Sequence, residues 1–102
     1  SFSQLHVMAA REGAEARPLA LGYESKNAAA WMADSRRIVY VAPRDPTLNP
    51  DRVVGSLALH IVDSETGEKR VFLARDHESY GNPTPSPDGQ WVAFTLQAGG
   101  PF

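Results

Sequence analysis

Histidine and carboxylate side chains are the groups in this 102-residue sequence that could bind a metal ion or transfer a proton. His6 and His60 stand at matching places in two similar segments. A zinc site needs about four nitrogen, sulfur or carboxylate ligands, and neither histidine has a carboxylate at a matching offset. The chain also contains no cysteine. We therefore expect both imidazoles to pack between strands, and we predict neither a metal nor a cofactor.

A third histidine lies later in the chain. His77 stands between Asp76 and Glu78, in a polar connector predicted over 75–82. A solvated loop is the simpler interpretation, although loops on a rigid scaffold often carry binding residues. Asp76 and His77 are therefore candidate binding residues.

The segment 43–55 is the other candidate binding loop. It has prolines at positions 43, 46 and 50, and it is long for a hairpin connection. Three of its side chains can contact a partner through charge, namely Arg44, Asp45 and Arg52. The alternative is a surface insertion that the fold tolerates.

The sequence has no arrangement typical of a nucleophilic enzyme. Ser86 lies in a Pro-Ser-Pro turn and lacks the Gly-x-Ser-x-Gly elbow of serine hydrolases. The acidic residues from Asp63 to Glu68 do not have the spacing of a calcium loop, and a polar hairpin turn explains them better. The glycines lack the spacing of a phosphate-binding loop. We therefore predict a protein that is not an enzyme.

Composition excludes two classes of partner. The chain is 42% hydrophobic and 22% charged, as in an ordinary folded domain, and its formal net charge is -2. A slightly acidic chain has no general attraction for nucleic acid or for an anionic membrane surface. No apolar run approaches the roughly 20 residues of a membrane span. We expect neither nucleic-acid binding nor membrane insertion.

Short runs of β-branched, aromatic and aliphatic residues alternate with turn residues, which is typical of an all-β fold. Pro18 cannot donate a ladder hydrogen bond, so its strand should lie at a sheet edge. No window keeps the helical spacing of apolar residues over three turns. The predicted strands or apolar segments are 4–10, 15–20, 28–32, 37–42, 56–63, 69–74 and 91–95, with a loose tail over 97–102.

One hairpin has a strong turn signal. Pro87, Asp88 and Gly89 supply a fixed φ, a local hydrogen-bonding side chain and tolerance of positive φ. A degraded copy over 31–40 has Ser35 where the later hairpin has glycine. A non-glycine residue at positive φ costs about 1 kcal/mol. The earlier hairpin should therefore be looser or use a different turn.

The chain contains an internal repeat. Residues 5–41 align without a gap to residues 59–95, and eight identical positions among 37 exceed what composition alone should give. Strand 56–63 has apolar residues on both of its faces, as a sheet packed between two others requires. Four short strands per repeat favour a β-propeller over a sandwich. The identical pairs are Leu5/Leu59, His6/His60, Gly13/Gly67, Leu19/Leu73, Ala20/Ala74, Glu24/Glu78, Ser25/Ser79 and Asp34/Asp88.

The stretch SPDGQWVAF, preceded by Asn82-Pro83, together with LHIVDSETGEKRVFL, resembles the PD40 (TolB-like) β-propeller repeat. The resemblance implies blades of four antiparallel strands, with about two blade-equivalents in this chain. Residues 1–27 would form an outer half-blade, 28–82 a complete blade with the insertion 43–55, and 83–102 an inner half-blade and tail. Trp31 and Trp91 are expected to pack between blades.

The resemblance also implies a function. Modules of this family bind protein or peptide without catalysis, chiefly through loops, here 43–55 and 75–82, and a periplasmic or envelope location is plausible for them. The alternative is the propeller portion of a prolyl oligopeptidase-type serine peptidase, which gates access to a catalytic domain that this chain does not contain.

The two half-blades predict a mode of assembly, because neither can pair its free strand edge alone. If residue 102 is joined head to tail to residue 1, Leu5 of the next chain follows Leu59 at close to the repeat spacing. We therefore expect a homo-oligomer in which the half-blades of successive chains pair, with three chains making six blades or four chains eight. The alternative is a longer protein that supplies the other blades.

Overall fold

The computed structural model describes residues 4–19, 27–43, 57–75 and 78–98. Among these residues every regular element is a β-strand, and every strand pairing is antiparallel, which confirms the all-β prediction. The strands are β1 (Leu5–Val7), β2 (Arg17–Leu19), β3 (Asn27–Trp31), β4 (Arg37–Pro43), β5 (Leu57–Asp63), β6 (Lys69–Leu73), β7 (Glu78–Pro85) and β8 (Val92–Ala98).

The strands form three sheets, each in the order of the chain. The first sheet is β1-β2, the central sheet is β3-β4-β5-β6, and the third sheet is β7-β8. In the central sheet, β4 and β5 each have five consecutive buried residues. Burial on both faces of a strand requires a layer on each side of the sheet.

The repeat seen in the sequence also holds in the strand registers. In the central sheet Ala30 pairs with Val39, and the register shifts between Asn27 and Ala30. In the third sheet Thr84 pairs with Ala93, and the register shifts between Gly81 and Thr84. These positions are equivalent when 5–41 is aligned with 59–95. The bulge therefore belongs to the repeated unit.

Backbone conformation follows the same repeat. Ala28 and Asn82, which stand at the two bulges, have φ of 54° and 51°. Ser35 has a φ of 57° where Gly89 has 76°. The expectation of a different turn at Ser35 is therefore wrong: the chain keeps the same turn and places serine at a positive φ that L-residues seldom adopt.

The two faces of the central sheet bury different cores. Its front face is defined by Ile38, Tyr40, Ala42, His60 and Val62, and its back face by Val39, Val41, Leu59 and Ile61. Alternation along β4 and β5 assigns them, since Tyr40 pairs with His60 and Val41 with Leu59. Leu19 of the first sheet packs on the front face, together with Leu5 and Val7. Tyr80 of the third sheet packs on the back face.

The two interfaces follow one rule. Leu5, Val7 and Leu19 are the repeat equivalents of Leu59, Ile61 and Leu73, so the first sheet presents its back face to the central sheet's front face. Tyr80 lies opposite Leu96 and beside Phe94, which is the equivalent of Tyr40. The third sheet therefore presents its front face to the central sheet's back face.

Strand β7 begins earlier than the sequence indicates. The predicted connector 75–82 is wrong over its last five residues, because β7 starts at Glu78. Tyr80 explains the difference, since its ring is buried and its hydroxyl donates to Glu78 Oε1 at 2.5 Å. Pro83 is accommodated because it falls within the register shift, where a ladder hydrogen bond is interrupted. Gln97 and Ala98, predicted to be loose, pair with Ser79 and Glu78.

Candidate functional site

The side chains predicted to form binding loops lie outside the described residues. They are Arg44, Asp45 and Arg52 of the segment 43–55, and Asp76 and His77 of the connector. They stay predictions.

The two repeat-related histidines lie in different environments. His60 is buried and stacks on Tyr40, with ring centroids 5.3 Å apart and planes 15° apart. Its Nε2 lies 3.1 Å from the carbonyl oxygen of Pro43. His6 lies on β1 opposite Pro18 and is exposed. His60 is thus a packing residue, whereas His6 occupies an equivalent place in a strand that, among the described residues, has a neighbour on one side only.

Metal binding finds no support in the part of the chain that the structure describes. No group of three or more histidine, aspartate or glutamate side chains there is arranged to hold an ion. Over the same residues, no helix has the length and apolar character needed to cross a bilayer.

The carboxylate of Asp34 is held within its turn. Asp34 Oδ1 accepts from the backbone N–H of Arg36 at 2.9 Å and of Arg37 at 3.0 Å, and Oδ2 accepts from Arg37 Nε at 2.7 Å. The N–H of Arg37, then that of Arg36, then the Arg37 side chain lower the pKa of Asp34 to about 2. A carboxylate stabilised as the anion is a poor proton donor near neutrality. Asp34 therefore shapes the turn.

Asp63 has the same role in the β5–β6 turn. Its Oδ1 accepts from the backbone N–H of Thr66 at 3.0 Å and of Glu65 at 2.8 Å, while Oδ2 accepts from Arg36 Nε at 2.8 Å. The Thr66 N–H is the largest cause that lowers the pKa of Asp63. The polar hairpin turn that the sequence favoured over a calcium loop is therefore the better account of this carboxylate.

Ser86 and Asp88 satisfy each other in the third turn. The Ser86 hydroxyl donates to Asp88 Oδ1 at 2.5 Å and accepts from the Trp91 N–H at 3.0 Å. That hydroxyl, followed by the Gln90 N–H, lowers the pKa of Asp88. Ser86 is thus a turn residue, because both hydrogen bonds of its hydroxyl lie within the turn.

The sheet edges differ in how they are protected against pairing. The outer edges carry Pro18 on β2 and Lys69 and Arg70 on β6, and proline and lysine at edges discourage strand addition. The free edge of β8 belongs to a seven-residue strand, VAFTLQA, without a charged side chain. The free edge of β1 likewise has no Asp, Glu, Lys or Arg along 4–10. Like the β3 edge of the central sheet, these two edges carry no charged side chain in the described residues, and a further strand can pair with them.

Exposed apolar side chains lie at the same two edges, and Val71 and Phe72 of β6 are exposed as well. Met8, next to β1, is 55% exposed, and Leu96 of β8 is 53% exposed. Trp91, directly before β8, is 75% exposed. The predicted packing of Trp31 and Trp91 between blades is not seen among the described residues, since Trp31 is 51% exposed.

An open groove of about 300 Å³ runs beside β1. Val7 and Met8 line one side of it, and Ala29 and Trp31 of β3 line the other. The groove follows from the layer geometry, because the two-stranded first sheet covers only part of the central sheet's front face.

The sequence predicts half-blades with free edges, but its candidate binding residues lie in loops. No residue of β1 or β8 was among them. The signal that could have found them is the contrast in charge between the uncharged edges of β1 and β8 and the charged edge of β6. This contrast is visible only after the strands have been placed in their sheets.

No protein-family model, curated protein or solved structure matches this chain.

Proposed function

We propose that the chain is a non-catalytic β-propeller module of the TolB-like kind, and that it binds protein or peptide strands at the free edges of its two-stranded sheets. The observation that carries the proposal is the repeated interface: the back face of one sheet packs on the front face of the next, twice in succession. A layer that repeats in this way is the building principle of propellers and other repeat folds.

Binding by strand addition suits the edges described above. An added strand satisfies the backbone N–H and C=O groups of an edge, and it also buries the apolar side chains that flank it. On β8 these include Phe94 and Leu96, and beside β1 they include Met8. The partner is therefore a protein or peptide segment in extended conformation, with apolar residues on the face turned toward the module.

A binding role agrees better than catalysis with the polar groups of the described residues. Asp34, Asp63 and Asp88 are all held as anions by turn hydrogen bonds, and the Ser86 hydroxyl is bonded on both sides. The hydrogen bonds of each of these groups stabilise the turn in which it lies.

The proposal is tested by solution mass and by peptide binding. The purified chain is measured by light scattering over a range of concentrations, and titrated with a labelled peptide of residues 4–10. We expect either assembly or saturable peptide binding. Ala93→Lys places a charge on the β8 edge and should weaken both, whereas Gln90→Lys adds the same charge in the adjacent turn and should not. A monomer that binds no strand peptide contradicts the proposal.

A further inference from the structure

We propose that the strand accepted by β8 is β1 of a second copy of this chain, paired antiparallel in the register of the central β4–β5 ladder. This inference rests on the proposed function and names its partner. The joint creates a four-stranded sheet from two chains, in the order β7-β8 of one copy and β1-β2 of the other. That order reproduces β3-β4-β5-β6 of the central sheet.

The register follows from the repeat. Strand β8 is the equivalent of β4, and β1 is the equivalent of β5, when 5–41 is aligned with 59–95. In the central sheet Ile38 pairs with Val62, Val39 with Ile61, and Tyr40 with His60. The corresponding pairs between two copies are Val92 with Met8, Ala93 with Val7, and Phe94 with His6.

The aromatic contact at the centre of this joint has a counterpart within the chain. Tyr40 and His60 stack in the central sheet, and both are buried there. Phe94 and His6 are the equivalent aromatic pair, and both are exposed in a single copy. Facing aromatic rings across a ladder stabilise the pairing of two strands.

The groove beside β1 is the space that β8 of the second copy fills. Alternation along β8 turns Ala93 and Thr95 to the back face, the face that packs on a central sheet's front face in this chain. Small residues at these positions fit a groove that is lined by Trp31. Docking there also covers Met8 and Trp31, which are exposed in one copy.

A second copy explains the observations better than an unrelated peptide, because both halves of the joint are present on one chain. The uncharged β8 edge, the uncharged β1 edge and the apolar groove all match a pairing that the chain already makes internally. The joint uses two different surfaces, so it is head to tail and not two-fold symmetric. Such joints close into rings when the rotation between copies allows it.

The test uses engineered cysteines, since the chain has none of its own. Chains carrying Met8→Cys are mixed with chains carrying Val92→Cys under mild oxidation, because directly opposed side chains lie close enough for a disulfide. The matched control replaces Val92→Cys with Ala93→Cys, which moves the thiol to the next position and hence to the other face. We expect the mixed 8–92 product to form at least 10-fold faster than the mixed 8–93 product. Circular dichroism checks that all variants keep their strand content.

Each other outcome is informative. Equal rates for 92 and 93, or dominant linkage of Met8→Cys chains to one another while an oligomer persists, overturns the register and leaves strand binding intact. A monomer at all concentrations that binds an unrelated extended peptide overturns the second copy as partner. A monomer that binds no strand overturns the proposed function as well.

Discussion

Ser35 and Gly89 occupy the same position in two repeat-related turns, and both have positive φ, 57° and 76°. The hydrogen bonds of the two turns also match: Ser35 N–H donates to the Met32 carbonyl at 3.0 Å, and Gly89 N–H to the Ser86 carbonyl at 3.0 Å. The earlier turn thus keeps its geometry in spite of its side chain.

This relationship predicts opposite effects of exchanging the two residues. Ser35→Gly should raise the free energy of unfolding by about 0.5 kcal/mol, because relief of roughly 1 kcal/mol is partly offset by the greater freedom of unfolded glycine. Gly89→Ser should lower it by about 1 kcal/mol, since it adds the same strain and a Cβ 3.3 Å from that of Ala33. Urea unfolding measures both. A stabilising Gly89→Ser would contradict the assignment of this turn.

Stability should fall in acid because of Asp34. The folded state lowers the pKa of Asp34 from 3.8 to about 2, so folding favours the anion. Its contribution is complete above about pH 4 and is lost as the pH falls toward 2. Asp34→Asn should therefore reduce stability at pH 7 and flatten the decrease between pH 5 and pH 2. Urea titrations across this range measure the slope, and an unchanged slope in the variant would count against the three hydrogen bonds to this carboxylate.

The pKa of Asp88 should respond to Ser86, whereas that of Asp34 should not. The Ser86 hydroxyl is the largest cause that lowers the pKa of Asp88. Ser86→Ala should move the pKa of Asp88 upward, toward its ordinary value, and leave that of Asp34 where it is. Carboxyl chemical shifts followed by NMR titration report both groups, with Asp34 as the internal control. A shift of equal size at both positions would mean that the variant acts through general unfolding.

Packing on the back face of the central sheet should contribute far more to stability than the exposed side chains of the outer strand. Leu59 is fully buried, and truncating a buried leucine to alanine costs about 3 kcal/mol through lost burial and the cavity left behind. Phe72 on the outer strand is 41% exposed, so Phe72→Ala should cost roughly 0.5 kcal/mol. Thermal and urea unfolding compare the two variants. Similar losses in both would contradict the assignment of the core.

Arg17 should hold the first sheet against the central one. Its Nη2 donates to the Ser64 carbonyl oxygen at 2.6 Å, joining β2 to the β5–β6 turn. Arg17→Met keeps most of the aliphatic stem and removes the donor, so amide exchange in 5–19 should accelerate several-fold while that of 57–63 changes little. Arg11→Met is the matched control, since that exposed side chain lies in a turn of the same sheet. Uniform acceleration across both ranges would refute a local role.

The sequence was sufficient for the strands and the repeat because both depend on local signals. Continuous runs of apolar residues marked β4 and β5, and Asp and Gly marked the turns. It failed at β7, where Asn82 and Pro83 are breaker residues in isolation. The structure shows that a strand can contain Asn82 and Pro83 because they lie at a bulge. Strand β3 has the same bulge at Ala28, a residue that gives no breaker signal.

The candidate site was harder to predict, since an edge is a property of a sheet and not of a segment. Strand VAFTLQA reads as an ordinary buried strand until its neighbours are known. The difference between β8 and β6 is then physical: the β8 edge has no charged side chain, while the β6 edge carries Lys69 and Arg70. The candidate binding residues that the sequence places in loops, at positions 44, 45, 52, 76 and 77, lie outside the described residues.

Within the described ranges, the two cores on opposite faces of the central sheet share no side chain. Among the described residues, both cores pack on β4 and β5, which lie between the first and third sheets. Substitutions in the two cores, for example at Leu19 and Tyr80, should combine additively, as independent sites do. We therefore expect the described sheets to act as a linear series of nearest-neighbour couplings, in which damage at one interface leaves the other intact.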